Sequence, residues 1–564
     1  MFRTCEQCGC CSSACPITGR NNFNVRRIVR HIELDLVEDI ANTPQPWACT
    51  TCGRCETVCP NGIAILNIIR PLRAMGPDDF TPADTPPCAA ACPAGIDVPG
   101  YVRLIAQGKP SEAYKLILEK VPFPGILGRV CMHPCETQCR RGEVNQPIAI
   151  CALKRYAADR ADGAFEAAAQ VKGNTGHKAA VVGAGPAGLS AAFYLRKKGH
   201  EVAVFDAMPK PGGMMRYGIP FYRLPEDVLE KEINQVLSIG IRLETNKMLG
   251  KDFTVEDLKA QGFEAIFIAT GLQESRKIKI EGADLADVFW GVDFLRDVSE
   301  GKEVRLKKRV LVVGGGNVAV DVALTAVRVG AEEVTMACLE SREEMPASQW
   351  EIEQALEEGV KLMPSWGPQR IIGENGRIKA IELVRCTSVF DDKGAFCPAF
   401  GDQRKTVQAD QVILAIGQAA DLSFLSGYGQ VKCETGLITV NPESQETGMP
   451  GVFAGGDVGK GPGTIIDAIA AGRRAAVAMD KFLGGDGLIS ETLAEKPDTR
   501  SYTGDREKGF ADLMRENTSH VPLDERRATF KEVDLCFTEE QAVKEAKRCL
   551  QCDLEIRMGK TGRE

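Results

Sequence analysis

The sequence predicts a multidomain α/β protein with two Rossmann-type domains, one inserted in the other, and a mainly helical, cysteine-rich region before them. Three observations predict this fold class. The 564 residues exceed what a single hydrophobic core usually supports. Two glycine-rich segments each follow a short apolar run and precede a helical pattern. Most of the 22 cysteines lie before residue 152, in repeated short spacings.

Composition argues against several functional classes. Lys and Arg total 69 against 77 Asp and Glu, a formal charge of −8, so no basic surface for nucleic acid or an anionic membrane is indicated. No apolar run reaches the roughly 18 residues of a membrane span, and the N-terminus lacks a signal pattern. We therefore expect a cytoplasmic protein with no membrane span and no nucleic-acid partner.

Two cysteine quartets near the N-terminus share the spacing C-x2-C-x2-C-x3-C and are each followed by proline. They are Cys5, Cys8, Cys11 and Cys15, and Cys49, Cys52, Cys55 and Cys59. This is the pattern of two-cluster bacterial ferredoxins, in which the fourth cysteine of each run binds the other cluster. The pattern predicts one [4Fe–4S] cluster on Cys5, Cys8, Cys11 and Cys59 and another on Cys49, Cys52, Cys55 and Cys15. Zinc or disulfides would leave two complete quartets unexplained, and Cys10 is expected to be a free thiol.

A helical pattern separates the quartets, with Val25, Ile28 and Val29 on its apolar side. Together with the segments at residues 47–55 and 68–73, this arrangement resembles the small, two-cluster iron–sulfur protein of heterodisulfide reductases. The resemblance covers the ferredoxin-like module and implies a partner of the heterodisulfide reductase kind.

A second cysteine group comprises Cys88, Cys92, Cys131, Cys135 and Cys139. From Pro87 onward the chain resembles the small subunit of glutamate synthase, which holds two [4Fe–4S] clusters in a helical domain. That family commonly carries a further C-x2-C pair upstream, which residues 61–87 lack, whereas Cys549 and Cys552 form such a pair near the C-terminus. We infer that the C-terminus folds back to supply it. The implied sets are Cys88, Cys139, Cys549 and Cys552, and Cys92, Cys131 and Cys135 with Cys151 as candidate fourth ligand. A buried, unligated thiol is the alternative for Cys151.

The first glycine-rich segment completes a βαβ unit. An apolar run at 178–182 leads into Gly183, Gly185, Pro186, Ala187 and Gly188, and a second apolar run ends at Asp206. Gly183 permits a tight turn, Gly185 lets the backbone approach a pyrophosphate, and Asp206 can accept a hydrogen bond from a ribose hydroxyl. By its position we assign this site to FAD.

The resemblance adds further flavin-side residues. They are Gly213, Met214, Arg216 and Ile219 in one loop, Ala269, Thr270 and Gly271 in a return segment, and Gly456, Asp457, Gly463, Thr464 and Ala468 near the end of the domain. In such flavoproteins the aspartate contacts the ribitol chain and the following helix points its N-terminus at the flavin. Standing alone, residues 455–457 would be interpreted as a surface turn.

The second glycine-rich segment contains Gly314, Gly316, Asn317 and Val318 and lies between the two FAD segments. This nesting is the plan of reductases that bind both FAD and a nicotinamide cofactor. Where the family has two arginines, which cradle the 2′-phosphate of NADPH, this chain has Leu339 and Glu340. A carboxylate about 4 Å from that phosphate costs roughly 1 to 4 kcal/mol per unit charge. The sequence therefore predicts NAD(H), with Arg342 as the remaining argument for NADP(H).

Hydride brings two electrons, each cluster accepts one, and a flavin converts between them. No C-x2-C pair of the dithiol reductases lies between Cys151 and Cys536, so the outlet is four [4Fe–4S] clusters, with the N-terminal module as the exit. No catalytic acid, base or nucleophile is predicted. We expect an NADH-oxidising electron-input subunit that serves heterodisulfide-reductase-like subunits, a ferredoxin or another protein acceptor. The alternatives are an NADPH-dependent donor like the glutamate synthase small subunit and a non-catalytic electron relay. Bifurcation of electrons within a larger complex is left open.

The predicted boundaries follow from these motifs. They are a ferredoxin-like module at 1–78, a helical iron–sulfur domain at 79–175 completed by 536–564, an FAD domain at 176–295 and 409–485, an NAD domain at 296–408, and a strap at 486–535.

Overall fold

The computed structural model describes residues 5–80, 82–161, 163–497, 499 and 502–560. The chain forms two compact units. We call residues 1–169, 490–519 and 536–564 the cysteine-rich unit, and residues 170–489 and 520–535 the two-sheet unit.

Helices dominate the cysteine-rich unit, and both helices and strands build the two-sheet unit. The α-helices are α1 (Cys10–Ala14), α2 (Val25–Glu33), α3 (Val37–Ala41), α4 (Gln45–Ala48), α5 (Arg54–Thr57), α6 (Leu66–Met75), α7 (Pro87–Ala90), α8 (Val98–Ala106), α9 (Pro110–Leu118), α10 (Pro124–Val130), α11 (Pro134–Thr137), α12 (Ile150–Ala158), α13 (Ala164–Ala168), α14 (Pro186–Lys197), α15 (Met214–Tyr217), α16 (Glu226–Ser238), α17 (Val255–Ala260), α18 (Gly291–Ser299), α19 (Asn317–Val329), α20 (Gln349–Glu357), α21 (Asp457–Lys460), α22 (Ile465–Phe482), α23 (Leu523–Ala528), α24 (Glu539–Lys547) and α25 (Cys552–Lys560). The strands are β1 (Lys178–Val182), β2 (Glu201–Phe205), β3 (Arg242–Glu244), β4 (Ala265–Ile268), β5 (Glu274–Ser275), β6 (Val288–Trp290), β7 (Arg309–Val313), β8 (Glu333–Cys338), β9 (Lys361–Pro364), β10 (Trp366–Glu374), β11 (Arg377–Phe390), β12 (Phe396–Gln408), β13 (Gln411–Leu414), β14 (Gln418–Ala419), β15 (Cys433–Glu434), β16 (Leu437–Ile438) and β17 (Val452–Ala454).

The N-terminal part of the cysteine-rich unit has its own small core. The apolar side of α2, with Val25 and Ile28, packs with Ile69 and Leu72 of α6. Asn24 caps α2 by accepting a hydrogen bond from the Arg27 amide at 3.0 Å, which satisfies one of the free donors of the first turn. The predicted helix between the two quartets is therefore present.

The C-terminal helices lie in the same unit. A capping box of Thr538 and Gln541 starts α24, and α24 packs against α8 while α25 packs against α6. Glu555 of α25 receives two hydrogen bonds from the guanidinium of Arg70, at 3.1 and 2.9 Å. The chain end thus folds onto the N-terminal region.

The two-sheet unit contains two five-stranded parallel sheets, with strand orders β17-β4-β1-β2-β3 and β6-β13-β7-β8-β9. All strands of the second sheet occur in the chain between β4 and β17, so the second domain is inserted in the first. The chain passes from the first sheet to the second after β4 and returns after β13. The short antiparallel pair β5–β14 joins these two connecting segments. The strands read as continuous apolar runs because helices cover both faces of such sheets. The predicted fold class, two nested Rossmann-type domains behind iron–sulfur domains, is confirmed.

The structure draws two boundaries differently from the sequence. The inserted sheet takes β6 and β13, so it spans residues 288–414 rather than 296–408; β13 pairs with β7, with Val412 opposite Leu311. The inserted domain also carries an antiparallel sheet of β10, β11 and β12. The strap predicted at 486–535 is divided between the units, because residues 520–535 lie with the two-sheet unit, where the Val533 amide donates to the Tyr222 carbonyl at 2.9 Å.

Among the described helices, none is both long enough and apolar enough to cross a bilayer.

Candidate cofactor sites

One cavity of about 440 Å³ opens at the carboxyl ends of the strands of the first sheet. Its volume lies in the range of cofactor pockets. Every flavin-side residue predicted from the sequence lines it, except Gly188, Arg216 and Ile219.

Close backbone contacts explain the glycines of the first motif. Gly183 has a φ of +110°, and a Cβ there would stand 2.3 Å from the Ala269 carbonyl oxygen. A Cβ on Gly188 would stand 1.9 Å from the Gly183 oxygen, so Gly188 serves helix–strand packing rather than the cavity. Gly185 is the N-cap of α14, whose free amides suit a pyrophosphate.

Asp206 lies directly after β2, at the edge of the cavity. Its carboxylate accepts hydrogen bonds from the amides of Ala184 at 2.6 Å and Met208 at 2.8 Å. Burial raises the pKa of Asp206, although both amides favour the charged form. The carboxylate thus fixes the glycine-rich turn and borders the place of a ribose.

The other wall of the cavity is built by α21 and α22. Thr464 caps α22, accepting a hydrogen bond from the Asp467 amide at 3.3 Å. Asp457 is half-buried, and the loss of solvent around it raises its pKa to about 6 although the Gly463 amide opposes the shift. The start of α22 and the Asp457 carboxyl group therefore face the same cavity.

Two residues that the sequence predicts for the flavin site do not line the cavity and instead support the loops that do. Arg216 is buried, donates to the Pro211 carbonyl at 2.6 Å and pairs with Glu230 at 2.8 Å, so it holds the loop that carries Gly213. The Ile219 amide donates to the Met214 carbonyl at 3.1 Å and closes the next turn.

The cavity also has lining residues that sequence reasoning missed, among them Met248, Leu249 and Phe424. They come from loops without a motif, and only their apolar character is a signal. The Thr270 hydroxyl is buried in the wall with no hydrogen-bond partner among the described residues. An orphaned polar group, glycine-lined backbone and an apolar wall together fit FAD.

Close backbone contacts also explain the glycines of the second glycine-rich turn. Gly314 has a φ of +147°, and a Cβ there would lie 2.2 Å from the Ala415 oxygen. Gly316 is the N-cap of α19, and the Asn317 side chain accepts a hydrogen bond from the Ser348 amide at 3.1 Å. Val318 lies in the first turn of α19, partly buried against the inserted domain's core. A nicotinamide dinucleotide fits this turn as FAD fits the first.

Glu340 lies two residues beyond β8, over the second turn. A Cβ on Gly315 would lie 2.7 Å from the Glu340 Oε2 atom, so the carboxylate stands beside the glycine loop. The Arg342 guanidinium instead donates to Gln349 at 2.9 Å. The acid, not the cation, borders the place where the adenosine ribose binds in a Rossmann domain.

The structure brings the predicted cluster cysteines together in four groups. A small cavity is lined by Cys5, Cys8, Cys11 and Cys59, with Cys10 beside them. Burial raises the pKa of Cys49 to about 11, with Cys52 and Cys15 as the neighbouring thiols, and the same neighbours surround Cys55. Cys88 is half-buried, with Cys549, Cys552 and Cys139 as neighbouring thiols; loss of solvent, and then these thiols, raise the pKa of Cys88.

The fourth group includes Cys151. Burial raises the pKa of Cys135 to about 12, and Cys131 and Cys92 add to the shift while Lys154 opposes it. Burial also raises the pKa of Cys151, whose neighbours include Cys131 and Cys135. The candidate fourth ligand thus lies with the three expected thiols.

Four of these cysteine loops share one backbone feature. The residue two positions after the first cysteine has a left-handed φ and donates its amide to that cysteine's sulfur at 3.4 Å. These residues are Gln7, Thr51, His133 and Gln551, with φ values of 55°, 54°, 38° and 53°. Amides aimed at sulfur stabilise thiolates, as cluster ligation requires. No sequence signal marks these positions, since none is glycine.

Among the described residues, no three His, Cys, Asp or Glu side chains converge closely enough to bind a single metal ion.

Comparison with known families agrees with this chemistry. Residues 177–472 match the pyridine nucleotide-disulphide oxidoreductase family. Residues 81–164 match dihydropyrimidine dehydrogenase domain II with its 4Fe-4S cluster, and residues 1–63 match a 4Fe-4S dicluster domain.

Curated relatives cover most of the chain. The beta subunit of NADP(+)-dependent formate dehydrogenase from Moorella thermoacetica is 39% identical over 506 residues, 84% of this chain and 71% of that protein. Subunit PreT of the NAD-dependent dihydropyrimidine dehydrogenase of Escherichia coli O157:H7 is 31% identical over 427 residues, 72% and 97% of the two chains. The small chain of Azospirillum brasilense NADPH glutamate synthase is 33% identical over 417 residues, 70% and 86%. The chain therefore belongs to the pyridine nucleotide-disulphide oxidoreductase family, as an FAD-dependent NAD(P)H oxidoreductase with iron–sulfur domains.

Proposed function

We propose that this protein is the NADH-oxidising electron-input subunit of a larger complex and sends electrons through four [4Fe–4S] clusters to a protein acceptor. The proposal rests on one observation. A single chain contains a flavin-type cavity, a second dinucleotide-binding turn and four groups of cysteines. Entry of hydride at a flavin and exit of single electrons from clusters need all three.

The bound cofactors supply the electron chemistry: FAD takes hydride from the nicotinamide and the clusters carry single electrons. The chain's own residues bind, orient and exclude water. The N-terminus of α14 receives the pyrophosphate, Asp206 holds the turn, and the apolar wall with Phe424 keeps water from the cavity.

The preference for NADH rests on Glu340. Its carboxylate beside Gly315 is placed to accept a hydrogen bond from a bare ribose and to repel a 2′-phosphate. The relatives' names include both cofactors: NADP(+) for the Moorella protein and NAD for PreT. The choice therefore depends on this site and not on the family.

We propose that electrons leave at the N-terminal module. Cys8 is exposed, whereas Cys49, Cys52 and Cys55 are buried, as are Cys131 and Cys135. A redox protein docks where its cluster approaches the surface. A ferredoxin or a heterodisulfide-reductase-like subunit fits this exit, since the module resembles part of the latter.

The decisive experiment follows flavin absorbance under argon after adding NADH or NADPH. We expect NADH to bleach the flavin faster in the native protein. Replacing both Leu339 and Glu340 by arginine, the residues of the glutamate synthase relatives, should reverse that order. Glu343→Gln, which changes an exposed acid in the same loop, is the control and should leave the order unchanged.

Two results would contradict the proposal. Equal bleaching by both nucleotides would remove the preference for NADH. No bleaching by either would remove hydride entry altogether and leave the electron-relay alternative.

A further inference from the structure

Two cysteine loops lie side by side within the cysteine-rich unit. Cys52 packs in one apolar cluster with Leu550, and the half-buried Cys552 packs against that cluster. The first loop belongs to the N-terminal quartets and the second to the pair near the C-terminus. The cysteine groups of two proposed clusters therefore approach each other here.

The guanidinium of Arg506 joins these two loops. Its Nε atom donates to the Thr51 carbonyl at 3.0 Å, and its Nη2 atom donates to the Leu550 carbonyl at 2.7 Å. Thr51 lies between Cys49 and Cys52, and Leu550 lies between Cys549 and Cys552. One planar group thus contacts the backbone of both loops.

The position of Arg506 is fixed from several sides. Its side chain is only 5% exposed and pairs with Glu555 at 3.2 Å. The hydroxyl of Tyr502 accepts a hydrogen bond from Nη2 at 3.0 Å, and the guanidinium stacks over the Phe510 ring at 4.8 Å. A rigid, planar guanidinium held in this way fixes the distance between the Thr51 and Leu550 carbonyls, which a flexible lysine ammonium would not fix.

Other contacts hold the two regions together without Arg506. Arg140 donates to the Ala48 carbonyl at 2.6 Å and lies near Cys552, and Arg70 binds Glu555. Loss of the Arg506 fork should therefore loosen the spacing between the loops while the unit stays folded.

We infer that Arg506 is a positioning residue that sets the gap for electron transfer between the N-terminal clusters and the cluster completed by the C-terminus. The inference rests on the proposed function. In the step it serves, one electron leaves the cluster of Cys88, Cys139, Cys549 and Cys552, which is oxidised. The same electron reduces the cluster of Cys15, Cys49, Cys52 and Cys55, and no bond forms or breaks.

The test compares Arg506→Lys, which keeps the charge, and Arg506→Gln with the native holoprotein. Arg515→Lys is the matched control, because Arg515 lies in the same segment and contacts Glu136 and the Pro147 carbonyl but neither loop. Iron and FAD content are measured first. Magnetic coupling between the two clusters is then read from the EPR spectrum after dithionite reduction, and freeze-quench EPR follows cluster reduction by NADH.

We expect both Arg506 variants to keep their iron and FAD and to reduce the flavin at the native rate. Their EPR coupling should weaken, and the two N-terminal clusters should be reduced several-fold more slowly, because electron tunnelling slows steeply as the gap between clusters widens. Arg515→Lys should match the native protein in every measurement.

Native coupling and native cluster kinetics in both Arg506 variants would overturn the inference. Loss of one cluster's iron in both variants would also overturn it, because Arg506 would then act in assembly. Failure of NADH to reduce native flavin would instead count against the proposed function. The dithionite spectra would still decide the role of Arg506, because they need no nicotinamide.

Discussion

The first cysteine loop of the chain and the last have the same backbone but opposite surroundings. In one, Gln7 donates its amide to the Cys5 sulfur; in the other, Gln551 donates to Cys549, both at 3.4 Å and with left-handed φ values of 55° and 53°. Yet Cys8 is exposed, whereas the last loop is enclosed by arginines and acids from distant segments.

The difference separates what spacing determines from what tertiary structure determines. A C-x2-C run sets the local turn wherever it occurs in the chain. The rest of the chain decides whether that turn meets solvent or another cysteine loop. The first loop is therefore suited to exchange electrons with a partner, and the last to pass them within the molecule.

Removing one cysteine from each loop should give the largest contrast. Cys552→Ser should lower the iron-to-FAD ratio by about a quarter and also lower the thermal midpoint, since metal binding at a junction contributes folding free energy. Cys8→Ser should affect its own cluster and leave the midpoint nearly native. Iron analysis and calorimetry check this, and equal midpoints for the two variants would contradict the comparison.

Acids beside the two loops should also differ in their effect on stability. Glu555, 4% exposed, pairs with Arg70 and Arg506, and Glu555→Ala should cost about 3–5 kcal/mol by leaving buried cations unpaired. Glu33 pairs at 3.2 Å with Arg30, whose side chain is 52% exposed, so Glu33→Ala leaves no buried cation unpaired and should cost less than Glu555→Ala. Urea unfolding measures both.

The direction of the Glu555 pKa shift predicts how the stability of the protein depends on pH. Burial opposes the charge of Glu555, but Arg70 and Arg506 hold the pKa of Glu555 below its ordinary value of 4.5. A lowered folded pKa gives stability above pH 4.5 that is lost as the pH falls through the folded pKa. In Glu555→Gln this acid loss should be smaller than in the native protein, and an unchanged acid profile would show that the pair is weak.

Sequence spacing was enough to predict the cysteine groups, because ligands of a cubane recur at fixed intervals. The placement of Cys549 and Cys552 beside Cys88 was instead inferred from the family resemblance, because a family pair is missing upstream, and the three thiols are neighbours in the structure. The role of Arg506 had no such signal: it is one arginine in a charged segment without periodicity. Only the folded chain puts its two donors between the loops.

The nucleotide sites show the same division. Glycine motifs predicted the two turns, whereas Met248 and Phe424 in the flavin cavity come from loops whose sequence carries no pattern. The boundary of the inserted domain was misplaced because β13 reads like any buried strand. Its register with β7, not its composition, assigns it to the second sheet.

A buried charge and an exposed charge beside cysteine groups should differ in their electrostatic effect. Lys154 is 3% exposed and faces the thiols of Cys131, Cys151 and Cys135, which raise its pKa. Lys154→Met should lower that cluster's reduction potential by about 90 mV, which corresponds to roughly 2 kcal/mol for a unit charge if the separation is taken as about 8 Å and the effective dielectric as about 20. EPR-monitored redox titration measures the shift, with Arg26→Met as the exposed counterpart expected to shift its cluster far less. Equal shifts of the reduction potential in the two variants would contradict the difference between a buried and an exposed charge.

The smallest effect should come from the exposed basic face of α2. Arg26 lies against the Cys8–Cys11 loop, where its Nη1 atom is 3.5 Å from the position that a Cβ on Gly9 would take. In the described part of the chain, neither Arg26 nor Arg27 pairs with an acid. Unpaired cations at an exit steer an acidic acceptor, and salt screens that attraction over about 10 Å at 0.1 M ionic strength.

Replacing both Arg26 and Arg27 by glutamine should therefore slow electron transfer to an acidic ferredoxin a few-fold at low salt and not at high salt. Flavin reduction by NADH should not change. Arg305→Gln, at an arginine that is 83% exposed in the two-sheet unit, is the control for a general charge effect. Stopped-flow rates at several salt concentrations measure the slope. If the double variant keeps the native salt slope, acceptors do not dock at the first loop, and its exposure would need another explanation than electron exit.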